Sequence, residues 1–287
     1  MKQKRRRPST DRPGFDEFYS RQWGDRWPVL RAAFTAPTNH FALKEGLRDV
    51  YYLDPASVWA ASLLPLPGFA APAGSAMTDD ALQVLDLCAA PGGKTLVLLQ
   101  RLAAAGVHFE HTANDRSSQR RRRLHQVLEQ YLPAELRAAI RVTGHDATRW
   151  GLHQRDRYGL VIADVPCSSE AHVVQSPEHL AKWSPSRAKR LAQQAYTILL
   201  AALDATAPGG FILYSTCSVN QGENDDVIAR ALKRRPGAFS VHPVAAAPRS
   251  DTTWIPGAEA TVYGWQVLPD ACSGAGPLYA AVLRKTA

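Results

Sequence analysis

Long apolar runs are missing from this 287-residue chain. Nowhere do about 18 apolar residues follow one another, which excludes a transmembrane helix. Cysteine is scarce: Cys88, Cys167, Cys217 and Cys272 form no C-x-x-C pair and no histidine cluster at zinc-ligand spacing. The sequence therefore predicts neither a metal site nor a disulfide framework, and leaves reduced thiols for core packing or thiolate chemistry. The basic segment from Met1 to Pro13 lacks the apolar stretch of a secretory signal and reads as a solvated tail able to touch phosphates. The expected compartment is the cytoplasm, with the mitochondrion open for a eukaryotic source. Acidic residues are outnumbered, 26 against 34 Lys and Arg, for a net charge of +8. That balance favours a polyanionic partner, nucleic acid ahead of an anionic membrane surface.

Two nucleotide-binding loops are also absent. The pattern G-x-x-x-x-G-K-[ST] fails because Cys88 stands where its first glycine belongs, and G-x-G-x-x-G fails because only Gly92 and Gly93 are present. An ATPase and a dinucleotide-dependent dehydrogenase are thereby disfavoured.

Residues 14 to about 80 carry Phe15, Phe18, Tyr19, Trp23 and Trp27 at helical spacings of three and four, a face suited to packing on a neighbouring domain. From Pro55 to Asp80 proline, glycine, alanine and serine accumulate, predicting an exposed connection. The division expected is a basic tail over 1–13, a helical lobe and linker over 14–80, and the main domain over 81–287. That domain alternates strands with helices: strands at Leu82–Leu87, Val107–Ala113, Ile140–Thr143, Tyr158–Ala163 and Phe211–Tyr214, and helices at Lys94–Ala104, Ser117–Tyr131, Ser186–Ala205 and Glu223–Arg234. Such order specifies an α/β fold, a mostly parallel sheet with helices on both faces. Ser184 is placed to cap the Ser186 helix and Pro208-Gly209-Gly210 to stop it. Segments Thr261–Leu268 and Leu278–Leu283 form an expected closing antiparallel pair.

Open parallel sheets bind ligands beyond the carboxyl ends of their strands. After the first strand, Cys88-Ala89-Ala90-Pro91-Gly92-Gly93-Lys94 is a small-residue loop running into a helix, whose unpaired N–H groups suit a carboxylate such as that of methionine. After the second, Asp115 can accept the hydroxyls of an adenosine ribose; after the third, Asp146 suits an adenine amino group or caps a turn. The fourth strand ends in Asp164-Val165-Pro166-Cys167 and the fifth in Ser215-Thr216-Cys217-Ser218. If these strands are neighbours, both thiols face one crevice with the cofactor loop, where the methyl group of a methionine-based donor would lie. A thiol there would suit a substrate carbon too poor a nucleophile to take a methyl group unaided, such as carbon 5 of a cytosine, which thiolate addition at carbon 6 turns into an enamine. Asp164 is placed to hydrogen-bond or protonate N3, and the base must leave its stack to enter. Spacing alone does not say which cysteine attacks. Arg116 and Arg120 to Arg123 form either a solvated helix face or a phosphate contact.

Cys88-Ala-Ala-Pro-Gly-Gly-Lys94, Asp164-Val-Pro-Cys167 and Ser215-Thr-Cys217-Ser218 with Glu223-Asn224 resemble the motifs of the RsmB/Nop/Sun family of RNA cytosine-5 methyltransferases. The likeness covers residues 82 to about 284. Phe15-Asp16 through Trp27-Pro28 and Gly276-Pro277-Leu278-Tyr279 resemble the Sun-type subgroup with mitochondrial members. The resemblance implies a class I methyltransferase, Rossmann-like fold with a small N-terminal helical lobe. It implies S-adenosyl-L-methionine held by residues 88–94, Asp115, Arg120, Asp146 and Asp164. It makes Cys217 the nucleophile and Cys167 the residue that assists release. Ser168-Ser169-Glu170 departs from the glycine many relatives carry there, a difference confined to the loop. RNA, either rRNA or tRNA, is the implied partner, selected through the N-terminal lobe or a partner protein. A catalytically silent RNA-binding assembly factor and a DNA cytosine-5 methyltransferase are the rival readings.

Overall fold

A computed structural model describes residues 13–66, 77–78, 81–244 and 255–286. The chain opens with α1 (Phe15–Trp23), a single 3₁₀ turn (Gly24–Arg26) and α2 (Trp27–Ala33), followed by the hairpin β1 (Phe41–Leu43) and β2 (Tyr51–Leu53) and by α3 (Pro55–Ser62). The main domain runs β3 (Met77–Thr78), β4 (Ala81–Asp86), α4 (Gly93–Ala104), β5 (Phe109–Asn114), α5 (Ser118–Tyr131), α6 (Ala134–Ala138) and β6 (Ile140–Thr143). It continues with β7 (Tyr158–Asp164), α7 (Glu170–Val174), α8 (Pro177–Lys182), α9 (Pro185–Ala205), β8 (Thr206–Thr216) and α10 (Asp225–Arg234). It ends with β9 (Phe239–Val241), β10 (Glu259–Ala260), β11 (Trp265–Val267) and β12 (Leu278–Lys285).

The sheet has the order β10-β11-β12-β8-β7-β4-β5-β6. Its centre, β6-β5-β4-β7-β8, is parallel, and β12 adds antiparallel to β8. The chain winds outward from β4 through β5 to β6, then returns to β7 on the other side. The carboxyl ends of β4 and β7 therefore flank the switch point where such sheets open a crevice. Alternation splits the strands between two cores. On β8, Phe211 and Leu213 face α3, α4 and α5, whereas Ile212 and Tyr214 face α9 and α10; on β12, Leu278, Ala280 and Val282 oppose Tyr279, Ala281 and Leu283 in the same way. This is the class I methyltransferase, Rossmann-like architecture expected, with the closing β11–β12 pair antiparallel as predicted.

Three local expectations fail for identifiable reasons. The stretch from Pro55 is not an exposed connection at its start: α3 is capped by Asp54, which accepts from Ala56 N at 2.7 Å, and Ala56, Val58, Trp59, Ala60 and Ala61 are buried. Its alanines, counted as linker residues by composition, are the small surface that packs on α4. Residues 67–76 and 79–80 of that connection lie outside the described residues. Ser184 occupies the cap of α9, but its hydroxyl meets Ser186 Oγ at 3.1 Å and makes no capping bond. The same helix stops at Ala205, before Pro208-Gly209-Gly210, where the Thr206 hydroxyl donates to Ala202 O at 2.7 Å. Those three residues lie inside β8 instead. A Cβ at Gly210 would stand 2.9 Å from Gly159 O, so glycine permits the close approach to β7 there.

The aromatic residues near the N-terminus do pack rather than line the surface. Gly24, at φ +55°, breaks the helix between Trp23 and Trp27, and Phe15, Phe18 and Tyr19 close around Trp183, with Trp27 stacked on Tyr19 and Val173, Val219 and Leu268 in the same cluster. Arg26 fastens this lobe to the chain's other end through Glu259 at 2.6 Å and Asp270 at 2.7 Å.

His111 on β5 is buried, and among the described residues neither ring nitrogen has a hydrogen-bond partner. Burial pulls its pKa down to about 3. An unfolded histidine titrates near 6.5, so between about 6.5 and 3 the unfolded chain holds a proton that the folded chain refuses, and stability falls with pH through that window. His111→Leu is expected to stabilise the protein by about 1–3 kcal/mol at neutral pH. The gain should widen by about 1.4 kcal/mol for each pH unit below about 6. Urea unfolding of both proteins at neutral and mildly acid pH checks this; a gap independent of pH would mean that His111 is not the titrating group.

Candidate active site

The first loop is pinned from below by Asp86, which the sequence reading did not single out. Its Oδ1 accepts from Cys88 N at 3.2 Å and its Oδ2 from Thr95 Oγ1 at 2.8 Å, tying both ends of the β4–α4 turn. Burial pushes this carboxyl up to about 7. Cys88, Ala89 and Ala90 are buried, Pro91 is exposed, and Gly92 sits at φ +121°. A Cβ on Gly92 would meet Leu124 and Val127 of α5 at 3.1 and 3.2 Å, so its conformation and its surroundings both call for glycine. An acid at a strand end with threonine nine positions on is the signal that could have found Asp86.

Asn114, at the end of β5, joins three loops. Its amide donates to Leu87 O at 2.9 Å and His145 O at 3.1 Å, and its oxygen accepts from Thr143 Oγ1 and His145 N. Beside it Asp115 is 4% exposed. One oxygen accepts from Ser117 N at 2.9 Å. The other lies 3.3 Å from Arg120 Nε but, among the described residues, accepts no hydrogen bond. Arg120 also donates to Ala90 O, which brings the first and second loops together. Asp146 caps the 3₁₀ helix Ala147–Leu152, its Oδ1 accepting from Thr148 N and Oγ1, while its Oδ2 stands 3.3 Å from Arg116. The Thr148 hydroxyl holds this carboxyl below the usual range. Of the arginine cluster, Arg121 turns back to the carbonyls of Asp115 and Arg116, whereas Arg122 and Arg123 are exposed.

The reactive end lies where β7 and β8 finish side by side. Asp164 accepts from Ser215 Oγ at 2.7 Å and from Lys94 Nζ at 2.8 Å. Lys94 thus belongs as much to this acid as to its own loop, a link across 70 residues that the sequence does not announce. Burial works to lower the Lys94 ammonium, but the Asp164 carboxylate outweighs it and the pKa is raised. Cys167 and Cys217 bring their sulfurs to 2.8 Å, with Ser169 Oγ 3.0 Å from Cys217 and 3.5 Å from Cys167. Cys217 is exposed to the crevice and Cys167 half-buried. The two thiols are unequal. The hydrogen bond from Cys167 lowers Cys217, while the same contact, followed by burial, raises Cys167 well above its ordinary value. The contact therefore favours ionisation at Cys217 over Cys167. Cys88 and Cys272 are buried, with burial pushing both thiols up.

Two buried carboxylates brace the cysteine loops from behind. Glu170 accepts from Tyr19 OH, from Ser218 Oγ at 2.9 Å and from Val219 N at 3.0 Å, so the N-terminal lobe reaches the layer under the site. Glu223 accepts from Ser168 N at 2.8 Å, from Ser168 Oγ and from Asn220 Nδ2 at 3.0 Å, and burial pushes it up to about 7. Asn224 bridges Thr216 and Ser218 O. Each loop is thus held by an acid from beyond the other. Among the described residues no three metal-ligating side chains are grouped to hold an ion, and no helix is long and apolar enough to cross a membrane.

Some known proteins are similar to this chain in sequence and others in fold. The 5-cytosine rRNA methyltransferase NSUN4 of Bos taurus is 38% identical over 200 residues, covering 68% of this chain and 48% of that protein. The mitochondrial tRNA (cytosine(34)-C(5))-methyltransferase of Mus musculus is 33% identical, covering 79% and 62%. The Ribosomal RNA small subunit methyltransferase F of Cronobacter sakazakii is 30% identical, covering 85% and 46%. The chain spans about half the length of the first of these relatives. In fold it is similar to a methyltransferase homologue from Pyrococcus horikoshii, with a TM-score of 0.67, 18% identity and 95% and 96% coverage. It is also similar to NSun6 from Pyrococcus horikoshii with SFG, at 0.60, 20% identity and 85% and 54% coverage. With residues 76–283 matching the family described as 16S rRNA methyltransferase RsmB/F, and with the motifs of that span converging on one crevice, the chain belongs to the RsmB/F family.

Proposed function

We propose that this chain transfers a methyl group from S-adenosyl-L-methionine to carbon 5 of a cytosine in RNA, rRNA or tRNA, through a covalent bond from Cys217 to carbon 6. The observation that carries the reading is the unequal pair of thiols, 2.8 Å apart, beside the Lys94–Asp164 ion pair at the carboxyl edge of β7 and β8. The names of the relatives support RNA as the polymer.

The residues present fit the methyl donor. Asp115 has a buried oxygen lacking a hydrogen-bond donor at the end of the strand beside β4, which ribose hydroxyls would supply. The Cys88–Lys94 loop and the start of α4 would take the methionine end, Arg120 would hold the loop on Asp115, and Asp146 would face the adenine. When bound, the cofactor supplies an electrophilic methyl group on a sulfonium.

Cys217, as thiolate, adds to carbon 6 of the flipped-out cytosine. Electrons move toward N3, where Asp164 hydrogen-bonds the ring with Lys94 behind it as the proton source. Carbon 5, now enamine-like, is methylated. Release requires loss of the proton on carbon 5 and departure of Cys217. The contact with Cys217 is the chief cause that disfavours ionisation of Cys167. Once that sulfur is bonded to carbon the cause disappears, Cys167 gives its own proton to solvent, and its thiolate takes the proton from carbon 5 while Cys217 leaves as thiolate and the N3 proton returns to the Asp164–Lys94 pair. A partner protein or the N-terminal lobe selects the RNA. The compartment follows the RNA, cytoplasm in a bacterium or mitochondrion in a eukaryote.

The deciding experiment incubates the protein and labelled S-adenosyl-L-methionine with unmodified RNA, and separately with DNA of the same sequence. Label in 5-methylcytosine from RNA alone is expected. Transfer to DNA would favour the DNA-methylating alternative, and transfer to neither polymer, from a protein that binds RNA, the silent assembly factor.

A further inference from the structure

Ser169 stands between the two thiols in a conformation that serine rarely adopts. Its φ is +52° and its ψ 59°, the left-handed region where a Cβ crowds the neighbouring carbonyl. The residue precedes α7, yet its hydroxyl makes no capping bond to that helix, so capping does not explain the conformation. What the hydroxyl reaches instead is sulfur, Cys217 at 3.0 Å and Cys167 at 3.5 Å. The chain on either side is tied down: Ser168 by Glu223, and Glu170 by Ser218 and Val219. Such over-determination is how a fold keeps an unfavourable φ at a working site.

Cys217 therefore has two neighbours able to donate to its sulfur. A thiol is a weak donor and a hydroxyl a better one. Resting on the two-cysteine reading above, we propose that Ser169 is a catalytic residue whose hydroxyl donates a hydrogen bond to the Cys217 sulfur, holding the thiolate aimed into the crevice before addition and receiving it as the leaving group at release. No proton changes hands; the hydrogen bond weakens as the S–C6 bond forms and strengthens as it breaks. A donor to the charged form favours ionisation, and Ser169 acts in the same direction as the larger contribution from Cys167 in lowering the Cys217 thiol. The unfavourable φ then has a purpose, since it turns the hydroxyl back onto the thiols.

Two substitutions separate the hydroxyl from the backbone. Ser169→Gly removes it and relieves the φ; Ser169→Ala removes it and keeps the φ. Brief iodoacetamide labelling across neutral and alkaline pH, read by mass spectrometry of the Cys217 peptide, follows the thiolate directly. Both variants are expected to raise the labelling midpoint by about one pH unit, the glycine variant while melting higher than wild type. With RNA and cofactor, turnover at neutral pH should fall about tenfold and recover as the pH is raised. A wild-type midpoint in Ser169→Gly, accompanied only by a change in melting temperature, would overturn the proposal. Because labelling needs neither RNA nor cofactor, that result stands apart from any failure to methylate RNA.

Discussion

Cys217→Ala is expected to lose methyl transfer by roughly a thousandfold or more, whereas Cys167→Ala should leave RNA covalently attached to the protein in the presence of the methyl donor. The asymmetry follows from the geometry of the pair. With sulfurs 2.8 Å apart, the contact lowers the Cys217 thiol and raises that of Cys167, so ionisation of the pair falls first on Cys217. Only the thiolate is nucleophilic, and Cys217 is also the more exposed to the crevice. Removing Cys217 removes the attack, and no adduct should form. Removing Cys167 leaves addition and methylation open but takes away the group that receives the carbon 5 proton, so the methylated adduct accumulates. Denaturing gels with end-labelled RNA show the adduct, and nucleoside digestion shows the product. Adduct through Cys167, with Cys217→Ala still active, would reverse the roles and with them the mechanism.

The sequence carried the ends of strands better than the contacts between them. Asp164, Cys167 and Cys217 could be placed at one edge because parallel strands terminate on the same side, and β7 and β8 are neighbours as their succession predicted. Which thiol attacks was not legible, because it depends on the sulfur–sulfur contact and not on spacing. Lys94 read as part of a loop, since nothing local says that its ammonium crosses 70 residues to Asp164. The bracing roles of Glu170 and of Glu223, quoted only as part of a motif, escaped for a related reason: a buried acid looks like a solvated one until the donors around it, here from Tyr19, Ser168, Ser218 and Val219, are brought in by the fold. α3 was misread because proline and alanine signal a linker by composition and a tightly packed helix by context.

Asp164→Asn offers a second large effect, one that separates chemistry from stability. Asn keeps the shape and can still pair with Ser215, but it carries no charge and relays no proton to N3. The rate of adduct formation should fall by about 100- to 10,000-fold, the range for losing a positioned acid–base group. The same change strands Lys94. Its side chain is 11% exposed, and without Asp164 it must either keep an uncompensated charge or give up its proton. Breaking buried pairs costs about 3–5 kcal/mol, and with Asp164 itself 34% exposed the loss belongs at or below the lower end of that range. Adding Lys94→Met removes the stranded ammonium, so the double variant should recover much of the lost stability in thermal unfolding while its adduct formation stays at the level of Asp164→Asn or below. Recovery of both together would mean that Asp164 acts only by neutralising Lys94. Recovery of stability alone would assign Asp164 to the cytosine, with Lys94 as the partner that holds the carboxylate in place and supplies the proton it relays.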